Sequence, residues 1–502
     1  PLVGNNASAQ LMSLLRGGGA SLSSAPAAPA PAAPAAASPA PSAASHSAAA
    51  VAATAAVGLP MAARKALPPI GRTLSGSHTK YDVYVRPESD EQQPHLEVNP
   101  ITKVASELTF TMDRHIAVNR DYICYGLKTG AIRVLNMQTA SRALVKGHGA
   151  PLSDVVFFSS EVSLLASADK NGLVLVWSIE EKDGQIEEQL LYAIKLTDAS
   201  KTDAVRLCWH PRDQDVLAGA AGSSGFVIRL SELAGNIAPS LSAPMECSLA
   251  EAKRSPGITL LRHDNEVSGL SFSPPSSETE ALATASADGF FRVWERVAIG
   301  HEAGQGETIW SCAVAFRPFE GEPVDSVFWI DGNEPLLLAG SEMNRKLRLF
   351  KPQLDDGDAV QVQSLELTDS GGGDAFFNHI AYDPECGLVV LANTRRNRVY
   401  AVRIEGSAMT HIVEYKVAMP ILSFTMLHEV DADDRETLQL FCVQTAAIQQ
   451  YVMDPARCMP AVQKDDEGVA ANAPAEEKKE EAAAAADEEE EEDEDEDEDE
   501  DE

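Results

Sequence analysis

The sequence predicts an all-β fold: a seven-bladed β-propeller flanked by disordered N- and C-terminal tails. Three observations carry that expectation. The stretch 261–294, LRHDNEVSGLSFSPPSSETEALATASADGFFRVW, reads as one complete blade. Six other β-rich stretches read as weaker copies of it. The composition also changes abruptly on either side of the repeats.

In the reference stretch, His263 precedes a short alternating strand carrying Val267, Leu270 and Phe272. A Pro-rich turn leads to a second strand ending at Ser286. Asp288 and Gly289 then form a tight hairpin turn, because Gly tolerates positive φ and Asp accepts bonds from its own backbone. A third strand through Phe291 and Val293 ends at Trp294. His263, Asp288, Ser286 or Thr284, and the Trp294 indole are expected to form a hydrogen-bond chain tying the entry loop to the hairpin. Such a network specifies geometry only if every member is satisfied. His148, Asp169 and Trp177 hold the corresponding places in the next-best copy. A histidine, a turn and a terminal tryptophan in this order make the repeat one of WD40 type.

Seven repeats can be parsed in order. Their last-strand anchors are Leu135, Trp177, Ile228, Trp294, Phe350, Tyr400 and Tyr451, at intervals of 42, 51, 66, 56, 50 and 51 residues. A compact blade needs roughly 40 to 45, so the excess falls in loops. Closing seven units into a ring removes the exposed edge of a linear array. The ring needs an upstream strand, and either 102–110 (TKVASELTF) or 81–85 (YDVYV) is expected to complete the last blade beside residues 441–453. Six blades plus a cap is the alternative. An open sandwich would leave the repeat without a physical reason.

Residues 1–75 form an Ala/Ser/Pro-rich leader with little large apolar surface to offset the entropy of ordering, so it reads as disordered. The propeller is drawn at 76–460. Residues 461–502 form an acidic tail whose last sixteen residues are all Asp or Glu, an extended, self-repelling run. The net charge of −36 divides into −20 for 464–502, +5 for 1–80 and −21 for 81–463. An acidic propeller argues against strong nonspecific nucleic-acid binding, which rests on phosphate neutralisation. The seven cysteines are dispersed with no CxxC pair, which predicts reduced thiols and neither a disulfide framework nor a zinc site. No run of 18 apolar residues marks a membrane span.

No segment matches GxxxxGK[ST], HExxH, GxSxG or the EF-hand spacing, so no catalytic residue, metal ligand or cofactor is assigned. His148, His210, His263 and His379 read as hydrogen-bonding groups of loops and strands. Two basic clusters stand out: Asn344, Arg345, Lys346 and Arg348 at the last turn of the fifth repeat, and Arg395, Arg396, Asn397 and Arg398 in the same place in the sixth. If both hairpins point the same way they form one basic face, able to hold a phosphate, an RNA backbone or an acidic peptide. The acidic tail is an intramolecular candidate for it. The bland alternative is that these turns are solvated or paired with nearby acids.

Three strings extend through loops that a propeller alone would not dictate: 122–149 (YICYGLKTGAIRVLNMQTASRALVKGHG), 375–404 (AFFNHIAYDPECGLVVLANTRRNRVYAVRI), and MPILSF with FCVQTAAIQQY within 419–451. They resemble the WD-repeat domain of the enhancer-of-mRNA-decapping scaffold family, its plant branch in particular. The resemblance covers roughly 81–459. It implies a non-enzymatic cytoplasmic scaffold that gathers the decapping enzyme and its activator in processing bodies, ahead of 5′-to-3′ mRNA decay. In that family a Ser-rich linker and a helical C-terminal region carry self-association and much of the contact with the decapping enzyme. After Met459 this chain has an acidic, Ala-rich stretch instead, so it reads as a short form or an N-terminal fragment. The competing expectation from composition is a WD adaptor for chromatin or ubiquitin machinery, with an enzyme third.

Overall fold

The computed structural model describes residues 71–84, 96–106, 113–197, 204–233, 239–250, 257–277, 279–299, 307–332, 334–373, 375–431 and 434–458. The acidic tail, and the leader up to residue 70, lie outside the described residues. Seven sheets, each built on four antiparallel strands, account for all the described strands. Among the described residues no helix is long and apolar enough to cross a membrane.

Each sheet is one blade, with strands A to D running from the ring's centre outward. Blade 1 is Ile116–Val118, Tyr122–Gly126, Ile132–Asn136 and Arg142–Val145. Blade 2 is Leu152–Phe157, Leu164–Asp169, Leu173–Lys182 and Gln185–Thr197. Blade 3 is Val205–Trp209, Val216–Ala221, Ser224–Arg229 and Ile258–Arg262, and blade 4 is Val267–Phe272, Ala281–Ser286, Phe291–Ile299 and Glu307–Phe316. Blade 5 is Val324–Ile330, Leu336–Ser341, Lys346–Gln353 and Asp358–Thr368, and blade 6 is His379–Asp383, Leu388–Ala392, Arg398–Glu405 and Ala408–Lys416. Blade 7 takes Ile421–Val430, Glu436–Gln444 and Ala447–Met453 from the end of the chain and its D strand, Glu97–Lys103, from the beginning.

The B strands show why the chain folds this way. LLASAD, VLAGAA, ALATAS, LLLAGS and LVVLA are buried along their whole length, because both faces of a blade pack against neighbouring blades. Seven apolar clusters fill the seven gaps. One joins Ile116, Ile123 and Tyr125 of blade 1 to Leu427, Phe441 and Ile448 of blade 7, which closes the ring. Another joins Leu388, Val390 and Val399 of blade 6 to Phe424, Leu440 and Tyr451 of blade 7.

The closing strand differs from the expectation. It is Glu97–Lys103, paired antiparallel to Ala447–Met453, so of the stretch expected at 102–110 Thr102 and Lys103 end the strand, Val104 N and Ser106 N donate on to Ala446 O and Thr445 O, and 107–110 lie outside the described residues. The stretch expected at 81–85 belongs elsewhere: His78–Asp82 runs parallel to Asp358–Thr368 as a fifth, outermost strand of blade 5. Arg72–Thr73 similarly edges blade 6, so propeller strands begin before residue 76. The long interval of 66 residues before Trp294 holds Met245–Ser248, which runs parallel to Gln185–Thr197 at the edge of blade 2.

Candidate interaction surfaces

The two hydrogen-bond networks expected from the repeats are assembled, but in different registers. In blade 2, Trp177 Nε1 donates to Ser167 Oγ at 3.2 Å, His148 Nε2 lies 2.7 Å from the same hydroxyl, and His148 Nδ1 lies 3.4 Å from Asp169 Oδ2. In blade 4, Trp294 Nε1 donates to Thr284 Oγ1 at 3.0 Å and His263 Nε2 lies 2.8 Å from it. Thr284 is therefore the bridging hydroxyl. Ser286, the other hydroxyl expected from sequence, instead donates to Asn265 O at 3.1 Å and accepts from Asp288 N at 3.2 Å.

Counting back from each tryptophan explains the difference. Ser167 and Thr284 both lie ten residues before their tryptophan, whereas Asp169 lies eight before and aligns with Ser286, not Asp288. Among the described residues no carboxylate of blade 4 pairs directly with the imidazole, and Asp288 and Asp264 act on it only from a longer distance. His263 Nδ1 lies 3.2 Å from Leu261 O, which can only accept, so Nδ1 carries the proton and Thr284 donates to Nε2. Burial first, then the nearby Arg292 guanidinium, pushes the His263 pKa down to about 4. Asp288 instead organises the turn, accepting from Phe290 N at 3.0 Å, Asp264 N at 3.2 Å and Arg292 Nη1 at 2.8 Å. Burial pushes its pKa up, but those donors more than offset it and hold the carboxyl below its usual range.

The two basic turns are brought together. Both connect strands B and C of adjacent blades, and both grip the segment between those blades. Met343 O accepts from Phe377 N at 2.7 Å, Asn344 Nδ2 donates to Phe377 O at 2.8 Å, and Asn393 Nδ2 donates to Phe376 O at 2.8 Å. Glu342, Met343 and Asn344 all have positive φ, a costly run for non-glycine residues. The run is held because Asn344 is fully buried, accepts from Ser326 Oγ at 2.6 Å, and Met343 N donates to Asp325 Oδ2 at 2.6 Å.

Their charge is largely matched by acids. Arg345 and Lys346 both pair with Glu342, Arg396 with Asp369, and Arg398 with Glu414. Arg348 donates to Pro318 O at 2.6 Å and lies 5.0 Å over the Phe319 ring. Arg395 is exposed, with its guanidinium 5.6 Å over Phe376. The surface is thus a set of ordered, partly neutralised arginines suited to a planar or carboxylate-bearing ligand rather than a strong phosphate trap.

Sequence reasoning missed a second feature, at the ring's centre. Arg114 grips Asp154 through two bonds of 2.6 and 2.5 Å, and Asp154 also accepts from Leu207 N at 2.7 Å. One buried carboxylate therefore joins the inner strands of blades 2 and 3 to the residue leading into blade 1. Beside it, at the ends of the A strands, opens a cavity of about 650 Å³ whose lining includes Arg114, Arg120, Glu161, Asp383, Met426 and His428. That volume suits a side chain or small ligand. Only the placement of blades 1, 2, 6 and 7 around one axis reveals it.

The family described as the WD40 region of Ge1, enhancer of mRNA-decapping protein, matches residues 95–353. Enhancer of mRNA-decapping protein 4 from Danio rerio is 22% identical over 361 residues, covering 66% of this chain and 25% of that protein. The proteins of that name from Xenopus laevis and Homo sapiens are each 22% identical, over 259 and 251 residues, covering 48% of this chain and 17% of theirs. The chain thus spans a quarter or less of the length of these curated relatives. Among solved structures, the WD40 domain of Toxoplasma gondii coronin aligns with a TM-score of 0.52 at 16% identity, covering 72% of this chain and 87% of that one, a likeness of fold.

Proposed function

Since the chain belongs to the family of the Ge1 WD40 region, matched over just over half its length, we propose that it is a non-catalytic scaffold of cytoplasmic mRNA decapping. In this reading the propeller recruits the decapping enzyme and its activator in processing bodies, ahead of 5′-to-3′ decay. The family match is the single observation that carries it. The geometry supports a binding module: rigid blades, ordered loops between them, and an apolar interior given over to packing. Finer kinship with the plant member, VARICOSE, is part of the same proposal and rests on the strings within 122–149, 375–404 and 419–451.

The proposed contact face is the pair of turns bearing Arg345, Lys346, Arg348, Arg395, Arg396 and Arg398. Arg345, Arg396 and Arg398 hold acids that shape the turns, and Arg395 is the exposed arginine of the face, so Arg395→Glu is the variant that probes it, with its fold checked by unchanged Tm. Arg395 is expected to meet an acidic peptide or, weakly, an RNA backbone. Affinity purification of the tagged chain from cells tests the whole reading. Decapping factors should be recovered, and Arg395→Glu should reduce their recovery several-fold, more at low salt than at high. Recovery of histones or ubiquitin-ligase subunits in their place would overturn it.

A further inference from the structure

We propose that Cys386, His428 and Glu436 form a zinc-binding site that clips the first turn of blade 6 to the first hairpin of blade 7. Their donor atoms all lie within 4.8 Å of one another. A tetrahedral zinc ion with bonds of about 2.0 to 2.3 Å sets its donors roughly 3.3 to 3.8 Å apart, so the three need to close by only about an ångström. Glu436 is exposed and His428 half-buried, so two of the three have the freedom to do so.

The backbone prepares the site. Asp383 Oδ1 accepts from Cys386 N at 2.8 Å, Arg403 holds the Cys386 carbonyl, and Gly387 completes the turn at a φ of 61°. A side chain at 387 would meet Ile404 O at 2.7 Å, so the turn that presents the thiol depends on that glycine. Across the gap between blades, His428 pairs with Leu438 and Val430 with Glu436 in the antiparallel ladder. His428 and Glu436 are therefore diagonal neighbours on one face, within reach of each other.

A second observation points to a ligand. The Nε2 atom of His428 is buried and has no hydrogen-bond partner. A buried ring nitrogen left this way is unfavourable unless an ion or water satisfies it. The donor set of one sulfur, one imidazole nitrogen and one carboxylate oxygen selects zinc over calcium or magnesium, which take oxygen alone. The exposed carboxylate leaves an approach from solvent and a fourth position for water. The sequence reading expected no zinc site because it sought cysteine pairs. Cys386 comes from blade 6 and the other two donors from blade 7, and only the packing of these two blades brings the three together.

The test uses the full chain stripped with a chelator. The acidic run at 487–502 binds divalent ions through oxygen alone, so stoichiometry is read together with a signal specific to sulfur. One equivalent of Co²⁺ should give tetrahedral d–d bands and a near-ultraviolet thiolate-to-cobalt band, and one equivalent of Zn²⁺ should displace both and raise Tm. Cys386→Ser should abolish the thiolate band. His428→Gln should weaken zinc binding a hundredfold or more and Glu436→Gln about tenfold. Glu436 is exposed, so that variant keeps the fold. Absence of a thiolate band at one equivalent, its survival in Cys386→Ser, or unchanged zinc affinity in Glu436→Gln would each overturn the site.

Discussion

Thr284 serves two buried nitrogen donors or acceptors at once, the Trp294 indole and the His263 imidazole. Thr284→Val keeps the shape and strands both, which should cost about 2 kcal/mol in urea unfolding. Ser286→Ala removes contacts made at the strand's end and should cost about half as much. Equal losses would mean that the indole and imidazole are not coupled through Thr284. The same residues set a pH dependence. Burial holds His263 near 4 and His379 near 3, both below the unfolded value of 6.5. The unfolded chain therefore binds more protons than the folded one as pH falls below about 6.5. Stability is full above that value and is lost progressively toward pH 4, by on the order of 3 kcal/mol for His263 alone. Urea midpoints between pH 7 and 4.5 should fall accordingly, and His263→Gln should flatten the slope. The residue types of these networks were legible in the sequence. Their register was not, because the Asp-Gly turn of blade 4 drew attention to Asp288, while the aligned position, Ser286, carries no carboxylate.

At the scale of single elements, the strand Glu97–Lys103 decides whether the ring closes. Without it, Ala447–Met453 becomes a bare edge, a template for pairing with other chains. A chain starting at residue 105 should lose cooperative unfolding and aggregate in light scattering. A chain starting at residue 85 loses only the outer strands Arg72–Thr73 and His78–Asp82, and should stay monomeric with a modestly lower Tm. Similar behaviour of the two would remove the special role of the closing strand. The B and C strands were readable because burial on both faces demands apolar runs, and in blades 1 to 4 the turn between them carries a glycine at positive φ, Gly130, Gly172, Gly222 and Gly289. The closing strand was not. EVNPITK is mostly exposed, carries Pro100 and is bulged between Pro100 and Thr102, all tolerable only at a blade's outer edge. Outer strands have one partner and one apolar face at most, so their sequences are the least constrained.

Over the whole molecule, charge and packing assign different work to the interior and the surface. Seven apolar clusters hold the blades, and Asp154 ties the first three at the axis, so the ring does not depend on the surface charges. The whole chain carries a net charge of −36, and the local exceptions at the turns of blades 5 and 6 are paired with Glu342, Asp369 and Glu414. Nonspecific nucleic-acid binding needs several cations that meet phosphates without first giving up a carboxylate. Here each phosphate contact at Arg345, Arg396 or Arg398 has to replace an existing ion pair, and the remaining field is repulsive. The chain should therefore bind single-stranded RNA more weakly than the roughly 100 μM limit of ordinary nonspecific binders at physiological salt. Fluorescence anisotropy with a labelled uridine oligomer checks this. A residual signal at low salt should show a log–log salt slope no steeper than about −1 to −2 and should fall in Arg395→Glu. Micromolar binding with a slope of about −5 would require a cationic surface of several unpaired groups, and the acidic propeller would then have to be read as an RNA-binding domain rather than as a platform for proteins.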